Sequence, residues 1–177
     1  MNTASPWTRY LLIAGYLAML IGAVDPMEGS LLILPGSALV ALGTFLSQKE
    51  RWIIIYRSWS FFLIIIGVAA LWVTTMLGGI GGTSEYSMWW ALFYLPYPIG
   101  WSMGIWGPDS PRWVLWSGIV VGIWYILMMF LVLKMSHRWT ETSVEAVIIG
   151  GSIAAIGLIT IAGCIYRLKK PKAAASS

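Results

Sequence analysis

The long apolar runs of this chain contain no charged residue and no histidine. Of its 177 residues, 10% are charged and 59% are apolar, against roughly 25% and 45–50% in soluble domains. The charge-free runs are Tyr10–Val24, Leu31–Leu46, Trp59–Leu77, Met88–Trp106, Trp113–Leu133 and Ala146–Tyr166. A soluble domain of this size has too little interior to hide so much apolar surface, so lipid must cover much of it. The sequence therefore predicts an integral membrane protein.

The scarcity of reactive side chains excludes several functions. A charge at mid-bilayer costs about 2.5–3.5 kcal/mol on insertion scales, and the charges found there mark proton relays, ion paths and counter-ions. None lies within these runs. The single His137 and single Cys164 cannot build a zinc, haem or thiolate-metal site or an internal disulfide. We therefore predict no catalysis and no cofactor, and the basic residues at the C-terminal end indicate a topology signal rather than nucleic-acid binding.

Acidic residues fall where helices are predicted to begin. Capping boxes, in which a side chain and a Glu three residues later satisfy free N–H groups, fit residues 25–28, 47–50 and 142–145. They assign helix-capping roles to Asp25, Glu28, Glu50 and Glu145. Asp25 and Glu28 could alternatively form an acid–base or cation-binding pair. Their place at a helix start explains their identity and spacing without a ligand.

Ser-Pro pairs at 5–6 and 110–111 add two more helix starts. The predicted spans are about 6–24, 26–46, 52–77, 88–106, 111–133 and 143–166, in one transmembrane domain covering 1–172, with 173–177 as a disordered tail. The first run is predicted to stay as a span, because no signal-peptide cleavage site follows it. The third helix is predicted from residue 48, and its start is expected to lie at the membrane surface with Arg57 snorkelling.

Charge asymmetry decides whether 88–106 crosses the bilayer, because Lys and Arg accumulate on the cytoplasmic side. If it crosses, six spans place both termini in the cytoplasm and leave only Lys134 and Arg138 of the 11 basic residues outside. If it does not cross, five spans divide the 11 residues almost evenly and put the basic tail outside. The sequence therefore predicts an all-α bundle of six spans, with five as the alternative.

The segment around Pro96 and Pro98 breaks a local rule inside the predicted membrane region. Two prolines so close remove two backbone donors and interrupt a regular helix. Transporters place substrate sites at such broken helices, but membrane helices also carry proline as a structural kink. The candidate ligand or kink region is Tyr94, Pro96, Tyr97, Pro98 and Trp101.

Two further patterns indicate packing and membrane anchoring. Most tryptophans lie near the ends of the runs, as in an interfacial aromatic belt, whereas Trp72 and Trp124 lie deeper and are predicted to pack between helices. Small residues recur four apart at 100–104, 118–122, 150–154 and 151–155. Such seams let helices approach closely, either inside the bundle or against a partner subunit.

Three stretches resemble motifs of uncharacterised multi-spanning membrane proteins of bacteria. They are Asp25–Ser30 (DPMEGS), Leu77–Gly82 (LGGIGG) and Leu95–Trp101 (LPYPIGW). The similarity covers the chain up to about residue 100, and the last two predicted spans are an addition to it. No activity is attached to that group, so the resemblance implies a bacterial inner-membrane location and nothing about chemistry.

The close-packing seams and the lack of a reactive cluster predict a structural or accessory component of a larger membrane assembly. Its expected partners are the lipid bilayer and other membrane subunits or a second copy of the chain. The alternative is a transporter or channel for a small neutral or lipid-like solute, which would pass through the break at 94–101.

Overall fold

The computed structural model describes residues 6–25, 28–80, 86–139 and 144–169, and within them the predicted all-helical fold is confirmed. The elements in chain order are α1 (Pro6–Gly22), α2 (Ser30–Leu46), α3 (Arg51–Met76), a 3-10 helix (Met88–Tyr94), α4 (Pro96–Trp106), α5 (Arg112–Trp139) and α6 (Val144–Lys169).

Three of these helices are long and apolar enough to cross a membrane. They are α3, the Arg112–Leu131 part of α5 and the Val147–Lys169 part of α6, with mean hydropathies of 2.0 to 2.2. The helices α1 and α2 have 17 residues each, which gives about 25 Å at 1.5 Å per residue. The hydrocarbon core of a bilayer is about 30 Å thick. The helix lengths and composition therefore fit a membrane protein.

Each helix runs antiparallel to the one before it. Close glycine contacts show this for α1 and α2, where Gly15 lies against Gly36 and Gly22 against Gly29. The same holds for α5 and α6, where Gly118 lies against Cys164 and Gly122 against Gly157. In each pair the glycines let the backbones approach, because a Cβ there would meet the neighbouring helix. Gly100 and Gly104 of α4 likewise lie against Ser60 of α3, so two of the predicted small-residue seams, 100–104 and 118–122, are used inside the bundle.

The alternation defines two ends of the bundle. At one, the Asp25 end, the end of α3 meets the start of α2, since Trp72 Nε1 donates to Ser30 Oγ at 3.3 Å. At the other, the Arg57 end, the start of α3 meets the end of α4, and Lys49 forms a 3.2 Å ion pair with Asp109. The core between them contains Tyr16, Met19, Ile33, Ile64, Trp101 and Ile105, among others.

The predicted capping box at 47–50 is wrong. Ser47 is the C-cap of α2 and its hydroxyl donates to the Thr44 carbonyl at 2.9 Å, while Gln48 takes a positive φ of 49° that reverses the chain. The next helix therefore begins at Arg51 rather than 48. Glu50 is its N-cap residue, but the Glu50 carboxylate makes no cap bond and instead accepts from Trp52 Nε1 at 2.5 Å.

The turn before α2 also differs from its prediction. Asp25 Oδ1 accepts the Glu28 backbone N–H at 3.4 Å, three residues on, as in a capping box. However, α2 begins at Ser30, and its N-cap is Gly29 without a side-chain cap bond. The Gly29 backbone N–H instead donates to the Asp25 carbonyl at 2.7 Å, ahead of the first residue of α2. Pro26, the Glu145 side chain and the 173–177 tail lie outside the described residues.

Segment 88–106 is not one helix. A 3-10 helix ends at Tyr94 and α4 begins at Pro96, so the break falls at Leu95. The 11 residues of α4 give about 16 Å, too short to cross a bilayer alone. Any crossing here needs the 3-10 helix and α4 together.

Candidate functional site

The two prolines stand where a helix start tolerates them. Pro96 is the first residue of α4 and Pro98 lies in the same turn, where backbone N–H groups have no intrahelical partner. The donors on either side of the two prolines are satisfied, because the Leu95 N–H donates to Leu92 O and the Ile99 N–H to Leu95 O, both at 3.2 Å. The break is therefore an ordinary helix start placed within an apolar region.

A cavity of about 260 Å³ lies beside this break. Its walls come from the break and α4 (Tyr94, Leu95, Tyr97, Pro98, Trp101, Ser102), from α5 (Gly122, Trp124, Tyr125, Met128, Met129), from α6 (Ile149, Ile153, Ile156, Gly157, Thr160) and from Val24, Ile33, Leu71 and Ala91. Its lining is almost wholly apolar, and none of the described residues that line it is charged. An engineered cavity of about 150 Å³ binds benzene, so this one has room for a small apolar molecule.

The aromatic rings around the cavity are fixed through their polar tips. The Trp101 indole N–H donates to the Met19 carbonyl at 3.0 Å, and the Tyr125 hydroxyl donates to the Ala23 carbonyl at 3.1 Å. The Tyr94 hydroxyl lies 2.5 Å from Thr74 Oγ1. Because these bonds use the polar atoms, the rings present their apolar bodies to the cavity. Trp101 and Tyr125 also meet edge to face, with centroids 6.1 Å apart.

Two aliphatic hydroxyl groups also belong to this lining. Ser102 on α4 and Thr160 on α6 both line the cavity, and their oxygens are 2.7 Å apart. Thr160 is 1% exposed and Ser102 5%. Val24 just after α1, Ile33 near the start of α2 and Leu71 near the end of α3 belong to the Asp25 end. The Ser102–Thr160 pair therefore forms the floor of the cavity, toward the middle of the bundle.

At the opposite end, Arg57 is buried rather than snorkelling, so that prediction is wrong. Its side chain is 3% exposed and donates to the carbonyls of Gly104 and Pro108, the latter at 2.7 Å, and to Ser110 Oγ at 3.0 Å. The guanidinium also lies 5.5 Å from the ring centroid of Tyr16, a cation–π distance. Gly104 lies in the last turn of α4, where a cation complements the helix dipole, and Pro108 and Ser110 lie in the turn that follows.

The structure brings most of the predicted site residues together. Tyr94, Tyr97, Pro98 and Trp101 line the cavity, whereas Pro96 does not. Sequence reasoning missed Ser102, although its place four residues after Pro98 sets it on the same helical face. It also missed Tyr125 and Thr160, which no local motif marks. Trp124, predicted to pack between helices, lines the cavity and is 45% exposed.

The tryptophans near the run ends show the expected exposure in most cases. Trp7, Trp52, Trp59, Trp89 and Trp113 are exposed. Trp106 is different, because it packs against Gly163 of α6 and its indole nitrogen is buried without a hydrogen-bond partner among the described residues. An aromatic belt is therefore consistent with the first five and does not describe Trp106.

No group of three His, Cys, Asp or Glu side chains within the described parts of the chain could hold a metal ion. No protein-family model, curated protein or solved structure matches this chain.

Proposed function

We propose that this protein crosses the bacterial inner membrane six times with both termini in the cytoplasm. The alternation of the helices supports this topology, and so does the distribution of charge. Basic residues cluster toward the Arg57 end, which we assign to the cytoplasm: Arg9, Lys49, Arg51, Arg57, Arg112, Arg167 and Lys169. Lys134 and Arg138 lie toward the far end of α5. This asymmetry follows the positive-inside rule.

Reporter fusions test the topology. A fluorescent protein fused after Ser177 is expected to fold and fluoresce, because it stays in the cytoplasm. Alkaline phosphatase fused after Gly79, beyond α3, is expected to be active, because it is exported. An active phosphatase at Ser177 would instead indicate five spans, with segment 88–106 not crossing the membrane.

We propose further that the protein binds a small apolar molecule in the cavity and acts as a binding protein or carrier rather than as an enzyme. The observation that carries this proposal is the 260 Å³ apolar cavity at the α4 break. Ligand sites are apolar concavities, commonly of about 300–1,000 Å³, with few polar groups. In the proposed topology the cavity lies in the outer half of the membrane, where lipid-like molecules are the available ligands.

Photolabelling in lipid nanodiscs tests this binding. A decane that carries a diazirine in its chain is expected to label residues of α4, α5 and α6 that face the cavity. Replacing Ala91, a 6% exposed wall residue, by phenylalanine fills part of the space and is expected to lower that labelling at least fivefold. Ala155→Phe, on the exposed face of α6 and away from the cavity, is the matched control. Equal cavity labelling in both variants would contradict the proposal.

The accessory role in a membrane assembly is a second candidate. It is supported by Gly151 and Ala155, which lie four apart on α6 and are both exposed, and by the open space around a Cβ built at Gly151. This seam is not used inside the described part of the bundle and resembles a helix-docking face. A copurifying membrane subunit in the same nanodisc sample, together with an unlabelled cavity, would favour this role over ligand binding.

A further inference from the structure

The hydroxyls of Ser102 and Thr160 can form hydrogen bonds with a ligand as well as with each other. Each hydroxyl has one hydrogen and two lone pairs. The Thr160 hydroxyl is within bonding distance of both Ser102 Oγ, at 2.7 Å, and the Ile156 carbonyl, at 2.8 Å. It can donate to only one of them at full strength. Two arrangements of the hydrogens are therefore available at the cavity floor.

The two arrangements present different groups to the cavity. If Thr160 donates to Ile156, Ser102 can donate to Thr160 Oγ1, and both lone pairs of Ser102 remain to accept a hydrogen bond from a ligand hydroxyl. If Thr160 donates to Ser102, the Ser102 hydrogen is left to donate to a ligand carbonyl or ether oxygen. The pair can thus bind a neutral donor or a neutral acceptor.

A charged ligand group does not fit the same floor. None of the described wall residues is charged, and burying an ionised carboxylate or ammonium without a partner carries a large free-energy cost. A phosphate or carboxylate headgroup at this floor would have to leave water and meet the Ser102 and Thr160 hydroxyls and no cationic group among the described wall residues. The cavity therefore selects against ions at its floor.

We infer that the occupant of the cavity is a neutral amphiphile with one hydroxyl or carbonyl group held between Ser102 and Thr160. Its apolar body extends from this floor toward the Asp25 end, against Trp101, Tyr125 and Met128. This inference rests on the proposed function, that the cavity binds an apolar molecule, and adds the polar group that the molecule carries. A pure hydrocarbon would fill the space but leave the floor hydroxyls without a further partner.

Competition in nanodiscs measures this selectivity. The bound diazirine decane is displaced with decane, 1-decanol or decanoate at equal mole fractions in the bilayer. We expect 1-decanol to compete about three- to tenfold better than decane, the range for one net hydrogen bond. Decanoate is expected to compete less well than 1-decanol. Equal competition by decane and 1-decanol, or stronger competition by decanoate, would overturn the inference.

Variants assign the selectivity to the hydroxyl pair. Ser102→Ala and Thr160→Val are expected to abolish the preference for 1-decanol over decane, while cavity labelling persists; Thr160→Ser should keep the preference. Ser37→Ala and Thr44→Val are the matched controls, because both side chains are at most 5% exposed, bond to their own helix and lie on α2 away from the cavity.

The outcomes of this experiment separate the two proposals. A preference for 1-decanol that survives Ser102→Ala and Thr160→Val overturns only the inference about the polar group. If Ala91→Phe abolishes the cavity labelling but 1-decanol and decane compete equally, again only the inference about the polar group is overturned. Cavity labelling that Ala91→Phe leaves unchanged would overturn the proposed binding function, and with it the inference about the polar group.

Discussion

Arg57→Met is expected to destabilise the protein by about 3 kcal/mol or more, among the largest effects of any single substitution in this chain. Methionine keeps much of the length of the side chain but removes every donor. The carbonyls of Gly104 and Pro108 and the hydroxyl of Ser110 then lose their charged partner in a buried region. Gly104 O is one of the last carbonyls of α4, and such groups have no intrahelical donor.

Thermal unfolding in detergent, followed by near-ultraviolet circular dichroism and size exclusion, measures this effect. Arg51→Met is the matched control, because Arg51 lies on the same helix but is exposed, and it is expected to change the midpoint little. Arg57→Lys should fall between the two, since lysine keeps the charge and loses the forked geometry that reaches three acceptors. Equal midpoints for Arg57→Met and Arg51→Met would show that the buried contacts of Arg57 contribute nothing to stability.

The helical fold could be predicted because its signals are local. Charge-free apolar runs specified helices, and the Ser-Pro pairs placed the starts of α1 and α5 within about one residue, at Pro6 and Arg112. The box at 47–50 failed for a local reason as well. Ser47 and Glu50 have the side chains of a helix start, but the positive φ of Gln48 places a chain reversal between them. A one-dimensional pattern does not distinguish these two uses of serine.

The burial of Arg57 could not be predicted, because its partners are far away in the chain. An arginine near the start of a long apolar helix normally reaches the membrane surface. Here the acceptors lie about 50 residues later, at the end of α4 and in the turn that follows. The burial depends on α3 and α4 being packed antiparallel at one depth, which is a property of the fold rather than of the segment.

Only one wall of the candidate site could be predicted from the sequence. The prolines at 96 and 98 mark the break from the sequence alone, and the aromatic residues around them line the cavity. The other wall comes from α5 and α6, whose Tyr125 and Thr160 look like ordinary residues of apolar spans. The hydroxyl pair joins positions 58 residues apart. Its existence follows from the parallel contact of α4 with α6, which no periodicity in either helix reveals.

Gly67→Ala is expected to destabilise the protein by about 2 kcal/mol, the typical cost of overpacking a close helix contact. A Cβ at Gly67 would collide with the backbone nitrogen of Tyr97 and lie 2.7 Å from its Cα. Backbone cannot move aside as the end of a side chain can, so α3 and α4 must separate. Because Tyr97 lines the cavity, the same substitution should also weaken photolabelling by the diazirine decane.

Gly151→Ala makes the same chemical change at an open position and is expected not to destabilise the protein. Apart from the backbone of its own helix and its chain neighbours, no described atom lies within 4 Å of a Cβ at Gly151, and alanine favours a helix over glycine by about 1 kcal/mol. We therefore expect Gly151→Ala to keep or raise the unfolding midpoint and to leave the labelling unchanged. The difference in sign isolates the contact of Gly67 with Tyr97 from any general effect of removing a glycine. If both variants lost stability equally, helix flexibility would explain the result, and the close approach of α3 to the start of α4 would not be what shapes the cavity.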